Sequence, residues 1–175
     1  MKNLKPVFLA GMALIGVAAC DSEPEPAADN IIKTTVTVNG EKDTVINNLG
    51  KGHENADVSA SCIKCLIGIV HTTENYKMLT TSIPPQNMIY YINWITAKNP
   101  IEVGRARKID NGITIGVSLK DGGSPKKLTT FFYNNENAQF YLLNDRNKHY
   151  FNLGIARDSL KKIRKTCFWG IASGK

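Results

Sequence analysis

The sequence predicts a mostly β domain, an antiparallel sandwich or barrel, with an α-helix near its C-terminal end. From position 31 onward, short runs of β-branched and aromatic residues alternate with turns rich in Asn and Gly. These turns recur about every 8 to 12 positions, a spacing typical of all-β domains. Near the C-terminus the apolar positions recur at helical spacing instead. A chain of 175 residues, 42% of them hydrophobic, has the length and composition of one globular domain.

The first predicted hairpin joins residues 34–38 to residues 44–49 around Asn39-Gly40. A two-residue turn would place Val36 opposite Asp43, whereas a four-residue loop would place Val36 opposite Val45. Because a buried sheet face favours the register that matches apolar side chains, we expect the longer loop, over residues 39–42.

A second hairpin is predicted between residues 105–109 and 113–119. Its three-residue loop would hold Gly112 in the left-handed conformation and pair Ile109 with Ile113. The alternation of strand-forming runs and turns continues beyond this hairpin and predicts three more strands, over residues 128–133, 138–143 and 150–155.

Two segments fit either a strand or a helix. Residues 88–96 are rich in strand formers, but the prolines on both sides and the apolar spacing also suit a helix; we expect a strand. Residues 65–70 resemble a buried strand, yet Val58, Cys62 and Cys65 would share one face of a helix. Both possibilities stay open for that segment.

The C-terminal helix is predicted to begin at Asp158 or Ser159, either of which can cap it, and to end near Gly170. Its apolar residues recur at helical spacing and would face the core: Leu160, Ile163 and Cys167. Basic residues occupy the opposite side, and those in the last turn suit the negative end of the helix dipole.

The first 20 residues have the pattern of an export signal. Lys2 and Lys5 precede an apolar stretch over residues 6–19, which is shorter than the roughly 20 residues that span a bilayer. The stretch ends in Val17-Ala18-Ala19-Cys20, which resembles the lipobox of bacterial lipoproteins. The resemblance implies cleavage before Cys20 and acylation of its thiol and its new amine with fatty acids such as palmitate. Such acyl chains hold a protein at a membrane.

The resemblance divides the chain into three parts: a signal peptide (residues 1–19), an acidic tether (20–30) and a single β-rich domain (31–175). Residues 21–29 contain four acids, two prolines and no base, a composition that forms no core. The sorting of lipoproteins depends on residues that follow the acylated cysteine. We therefore expect a location in the bacterial cell envelope, at the periplasmic face or the cell surface.

Three cysteines remain after lipidation: Cys62, Cys65 and Cys167. In an oxidising compartment they predict one disulfide and one free thiol, in any of three arrangements. Within one regular strand Cys62 and Cys65 would point to opposite faces, which would leave Cys167 as the partner of one of them. A thioredoxin-like site would instead need the pair at the start of a helix, and the residues after Cys65 are poor helix formers.

Motifs for other chemistry are absent from the sequence. There is no nucleophile elbow, phosphate-binding loop or dinucleotide-binding motif. Covalent haem attachment needs a histidine where Leu66 follows Cys65. Zinc would have to combine the cysteines with His53 or His71, without a second pair of ligands at close spacing. We expect no catalytic residue, no metal and no cofactor.

Basic residues concentrate in the second half of the chain. Residues 20–97 hold 5 bases and 9 acids, whereas residues 98–175 hold 15 bases and 6 acids. This asymmetry favours an anionic partner, and export makes nucleic acid an unsuitable one. The candidate partner-binding residues are Lys161, Lys162, Arg164 and Lys165 on the helix and Arg105, Arg107 and Lys108 before it.

These observations favour a lipid-anchored binding module that acts by protein–protein contact, as an inhibitor, an immunity protein or a component of a larger complex. One alternative is a thiol-redox or other enzyme centred on Cys62 and Cys65. The other is a structural lipoprotein that contacts anionic lipid or the cell wall through its basic half.

Overall fold

The computed structural model describes residues 31–48, 58–104, 107–120, 122–144, 146 and 148–168. This part of the chain contains three α-helices: α1 (Ala60–Thr72), α2 (Glu74–Thr80) and α3 (Arg157–Cys167). It also contains nine strands: β1 (Ile31–Val38), β2 (Glu41–Asn48), β3 (Met88–Ile95), β4 (Ile101–Val103), β5 (Arg107–Ile109), β6 (Gly112–Leu119), β7 (Lys126–Asn134), β8 (Gln139–Leu143) and β9 (Tyr150–Asn152).

Seven strands form one sheet in the order β1-β2-β3-β6-β7-β8-β9, and β4 pairs with β5 in a separate two-stranded sheet. The prediction of a mostly β domain with a C-terminal helix is confirmed. The large sheet is mixed rather than wholly antiparallel, because β2 and β3 run parallel. Parallel neighbours need a crossover connection, and this one contains α1 and α2.

The two faces of the large sheet pack against different layers. One face, which we call the helical face, forms the main core with α1 and α3. The other, the hairpin face, forms a smaller cluster with the β4–β5 hairpin. Phe131 packs on the helical face and Phe132 on the hairpin face, since successive side chains of a strand point to opposite sides.

The β1–β2 hairpin has a two-residue turn at Asn39-Gly40, so Val36 lies opposite Asp43. The predicted four-residue loop and its Val36–Val45 pair are wrong. Asn39 and Gly40 both have positive φ (51° and 86°), as the tight turn of a two-residue hairpin requires. The turn chemistry therefore decides the register. Asp43 lies on the same buried side of the hairpin as Val45.

The predicted pairing of Ile109 with Ile113 is also wrong. Ile109 lies opposite Ile101 in the β4–β5 hairpin, while β6 begins at Gly112 and pairs with β3 and β7. Gly112 is required for a close approach rather than for a turn. A Cβ atom at this position would lie 2.1 Å from the carbonyl oxygen of Tyr133.

The two ambiguous segments take different structures. Residues 88–95 form strand β3, as expected. Residues 60–72 form helix α1, so the strand interpretation of residues 65–70 is wrong. The Ser59 hydroxyl caps this helix by accepting a hydrogen bond from the backbone N–H of Cys62 (3.3 Å). Burial of the apolar side of α1 against the sheet outweighs the weak helix propensity of its β-branched residues.

Helix α3 buries the predicted residues, Leu160, Ile163 and Cys167. It begins earlier than predicted, with Ala156 at the N-cap and no side-chain cap. Asp158 lies instead in the first turn, where its negative charge suits the positive end of the helix dipole. No helix within the described residues is long and apolar enough to cross a membrane. The signal peptide, the tether and Gly170 lie outside those residues.

Candidate functional site

A disulfide joins Cys62 of α1 to Cys167 of α3, with 4.8 Å between their Cα atoms. A disulfide is therefore present, as predicted, and of the three possible arrangements it is the one between Cys62 and Cys167. Both cysteines are buried where the two helices pack on the helical face. The bridge spans 105 positions of the sequence and closes α1, the strands from β3 to β9 and α3 into one covalent loop.

Cys65 keeps a free thiol and is half-buried one turn further along α1. Burial raises the pKa of this thiol, while the charge of Lys162 and a hydrogen bond with Thr166 act in the opposite direction. Reactive cysteines need a lowered pKa, because the thiolate is the nucleophile. With Cys62 bonded to Cys167, the geometry gives no support to a redox centre made from Cys62 and Cys65.

The candidate partner-binding cations fall into two groups on opposite sides of the large sheet. Four of them are exposed on α3, which packs on the helical face: Lys161, Lys162, Arg164 and Lys165. Arg107 and Lys108 are exposed on β5, which packs on the hairpin face. Arg105 lies outside the described residues. The six candidate cations that the structure describes therefore do not share one surface.

A groove of about 540 Å³ lies between α3 and the turn that joins β7 to β8; we call it the α3 groove. Arg157, Lys161 and Arg164 all line it, because positions i, i+4 and i+7 share one side of a helix. Apolar and amide side chains complete the lining: Ile155, Leu160, Ala138, Asn137 and Gln139. The groove thus combines three positive charges with an apolar floor.

The charges of the α3 groove are only weakly neutralised by the neighbouring acid. Lys161 Nζ lies 3.6 Å from Asp158 Oδ1, but both side chains are largely exposed. An exposed ion pair of this kind contributes little free energy, so it competes weakly with a partner. The sequence prediction includes Lys161 and Arg164 but misses Arg157, because it places the start of the helix at Asp158 or Ser159.

A buried polar cluster at the C-terminal end of α1 is not anticipated by the sequence analysis. His71 Nε2 forms a hydrogen bond with the Tyr90 hydroxyl (2.8 Å), which is also hydrogen-bonded to the Tyr76 hydroxyl (2.5 Å). Asp43 Oδ2 lies 3.9 Å from His71 Nε2. This carboxylate oxygen is buried and has no hydrogen-bond partner among the described residues.

Burial shifts the protonation of this cluster. It raises the pKa of Asp43 to about 6, with a further contribution from the negative charge of Glu41. It lowers the pKa of His71, although Glu41 acts in the opposite direction there. The pKa values of Tyr76 and Tyr90 are raised, again mainly by burial. The cluster lies apart from the α3 groove, since none of its four side chains lines that groove.

Within the described part of the chain, no three His, Cys, Asp or Glu side chains lie together in a way that would hold a metal ion. His53, a candidate zinc ligand in the sequence, lies outside those residues. His71, the other candidate, belongs to the buried cluster and contacts tyrosines rather than cysteines.

Comparison with known proteins assigns the chain to no group. No family model, no curated protein and no solved structure matches it.

Proposed function

We propose that the protein is a lipid-anchored binding module of the bacterial envelope, which acts by contact with an acidic partner protein at the α3 groove. The observation that carries the proposal is the alignment of Arg157, Lys161 and Arg164 along one groove with an apolar floor. The lipobox and the acidic tether support the anchor. The tether would let the domain reach a partner near the membrane surface.

The chemistry of the groove defines the partner it would accept. Arginine side chains bind carboxylates through two parallel hydrogen bonds, which gives direction as well as charge. Ile155, Leu160 and Ala138 add an apolar part to the lining. A complementary partner would therefore present Asp or Glu side chains together with an apolar residue. Blocking a toxin or an enzyme and assembling a larger complex are both tasks that such a contact can perform.

Electrostatic attraction would mainly increase the rate of association. The attraction between exposed charges is screened beyond about 8 Å at physiological salt, so association should slow as salt is added. Reversal of the groove charges should slow association at low salt and flatten this dependence. Folding should change little, because the buried side of α3 is untouched by these substitutions.

The test uses a photo-crosslinking amino acid at Asn137, beside the groove, in the full-length protein in its native envelope. A matched position is Lys108, which is exposed on the opposite side of the sheet. We expect one acidic protein to be crosslinked from position 137 and not from position 108. Triple reversal of the groove (R157E, K161E and R164E) should abolish the product, whereas R107E with K108E should leave it intact.

Two results would contradict the proposal. One is crosslinking that is equal from the two positions and unaffected by the triple reversal. The other is binding of the protein to anionic vesicles that the triple reversal abolishes, with no protein crosslinked from position 137. That second result would favour the structural lipoprotein that contacts lipid.

A further inference from the structure

A second groove, of about 580 Å³, lies on the hairpin face and takes no part in the proposed function; we call it the sheet groove. The floor comes from four adjacent strands, and the segment leading into β4 forms a wall. The floor residues include Tyr91, Asn93, Thr114, Gly116, Ser118 and Thr130. The volume lies within the range of about 300–1,000 Å³ that small-molecule sites occupy.

One aromatic side chain is placed for stacking in this groove. Tyr91 lies directly opposite Gly116 in the β3–β6 register and is half-buried. A Cβ atom at Gly116 would lie 3.4 Å from the Cβ of Tyr91. Gly116 therefore adds no side chain of its own next to Tyr91, and both residues line the groove. An aromatic ring that lines a groove can pack against the apolar face of a ligand.

The floor around Tyr91 is polar. Ser118 and Thr130 both line the groove, and 4% and 6% of these residues, respectively, are exposed. Hydroxyl groups in a groove suit a ligand that can donate and accept hydrogen bonds. Charged side chains of both signs line the groove as well: Glu102, Lys127 and Lys148.

The position of the groove excludes binding by strand addition. Strands β3, β6 and β7 each have a hydrogen-bonded neighbour on both sides, so their backbones offer no free edge to an extended peptide. The contacts must come from side chains: one aromatic ring, several hydroxyls and an amide. A sugar combines an apolar C–H face with many hydroxyls and matches this set.

We propose that the sheet groove binds an oligosaccharide, with Tyr91 stacked on one sugar ring and Ser118 hydrogen-bonded to a sugar hydroxyl. The site is on the opposite side of the sheet from the α3 groove and does not depend on it. The proposal therefore adds a glycan-binding activity to the protein contact proposed above.

The experiment titrates chitotetraose and, separately, maltotetraose into the full-length protein in detergent and measures heat. We expect at least one of them to bind with a dissociation constant in the millimolar range or below. Tyr91→Ala should weaken binding at least tenfold. Gly116→Val should do the same by placing a side chain in the groove next to Tyr91. Phe151→Ala, at an exposed aromatic outside the groove, should leave the affinity unchanged.

Gly116→Val keeps the test independent of folding. The new Cβ would lie 3.4 Å from the Cβ of Tyr91, the short end of ordinary contact, and valine is favoured in strands, so the variant should fold; its melting temperature is measured beside its affinity. Loss of binding in a variant of full stability would support the site. The proposal is overturned if neither oligosaccharide binds at millimolar concentration, or if both groove variants bind as tightly as the wild type.

Discussion

Asp43 and His71 meet inside the domain, with 3.9 Å between the buried carboxylate oxygen and the imidazole Nε2. The contact joins strand β2 to the C-terminal end of α1, and Asp43 lies on the buried side of the β1–β2 hairpin, opposite Val36. Burial raises the pKa of the carboxyl group and lowers that of the imidazole, so both groups tend toward their neutral forms. The stability of the domain should therefore depend on pH through this pair.

Asp43→Asn should stabilise the protein at pH 8 and have little effect at pH 4. The folded-state pKa of Asp43 is about 6, against an ordinary value of 3.8. Between these values the folded state binds more protons than the unfolded state, so wild-type stability falls as pH rises through the window. We expect a gain of about 1–3 kcal/mol at pH 8, since each unit of pKa shift corresponds to about 1.4 kcal/mol. Urea unfolding at a series of pH values measures the difference.

The control for Asp43→Asn is Glu41→Gln, which removes the second cause of the raised pKa and should give a smaller gain of the same sign. His71 contributes with the opposite sign. Because its pKa is lowered in the folded state, both the wild type and Asp43→Asn lose stability as pH falls below 6.5, the ordinary pKa of histidine. A variant that is less stable than the wild type at pH 8 would mean that a charged Asp43 is stabilised by a protonated His71.

Removal of the disulfide by the double substitution Cys62→Ala and Cys167→Ala should lower the free energy of unfolding by about 3–5 kcal/mol, because the bridge closes a long loop of the unfolded chain. Cys65→Ala is the matched control and should change stability much less. Thiol counting gives an independent check. Denatured protein prepared without reductant should show one reactive thiol, and three after reduction. Three thiols before reduction would rule out the bridge.

Gly112→Ala should destabilise the domain by roughly 2–4 kcal/mol, because the added Cβ would collide with the backbone oxygen of Tyr133 in a central strand. Gly68→Ala provides the comparison. Its Cβ would lie 3.7 Å from a methyl group of Val38, an ordinary contact, and alanine is favoured over glycine in a helix by about 0.5–1 kcal/mol. Melting temperatures should move in opposite directions, and equal losses would contradict the assigned β6–β7 approach.

Cys20→Ala should yield an unprocessed precursor that takes up no fatty-acid label, because the lipobox enzymes act on the cysteine. The measurement is metabolic labelling with palmitate, followed by electrophoresis of the envelope fraction. A soluble product cleaved before Asp21 would show instead that the first 20 residues carry an ordinary secretory signal.

Local patterns predict the elements of this fold better than they predict its pairings. The alternation of strand formers and turns locates β6, β7 and β8 within a few residues, and the helical spacing of Leu160 and Ile163 locates α3. The strand formers of residues 88–96 favour β3, although the same segment also fits a helix. The predicted register of the first hairpin is wrong because the preference of Asn39-Gly40 for a two-residue turn outweighs the gain from pairing apolar side chains. The second fails because Gly112 serves a long-range contact with β7, which no local pattern reveals.

The same limit applies to the candidate sites. The distribution of basic residues in the sequence identifies Lys161 and Arg164, which line the α3 groove. It does not distinguish them from Arg107 and Lys108, which lie on the opposite side of the sheet. The Asp43–His71 contact depends on the crossover that brings the end of α1 beside β2, and that arrangement cannot be predicted from one segment. The odd cysteine count predicts a bridge, but the choice of Cys62 depends on α1 being a helix.

The bond between Cys62 and Cys167 also sets how the domain would carry mechanical force. If the N-terminus is fixed at a membrane and a partner pulls on α3, tension runs through β1, β2 and α1 and then crosses the disulfide to reach α3. The strands from β3 to β9 lie in the bypassed loop, outside this covalent path. The β1–β2 hairpin, the start of α1 and the end of α3 lie on the path, so extension of the backbone would stop once they had unravelled. The strands from β3 to β9 would stay within the closed loop, whereas without the bridge the pull would unravel the sheet strand by strand.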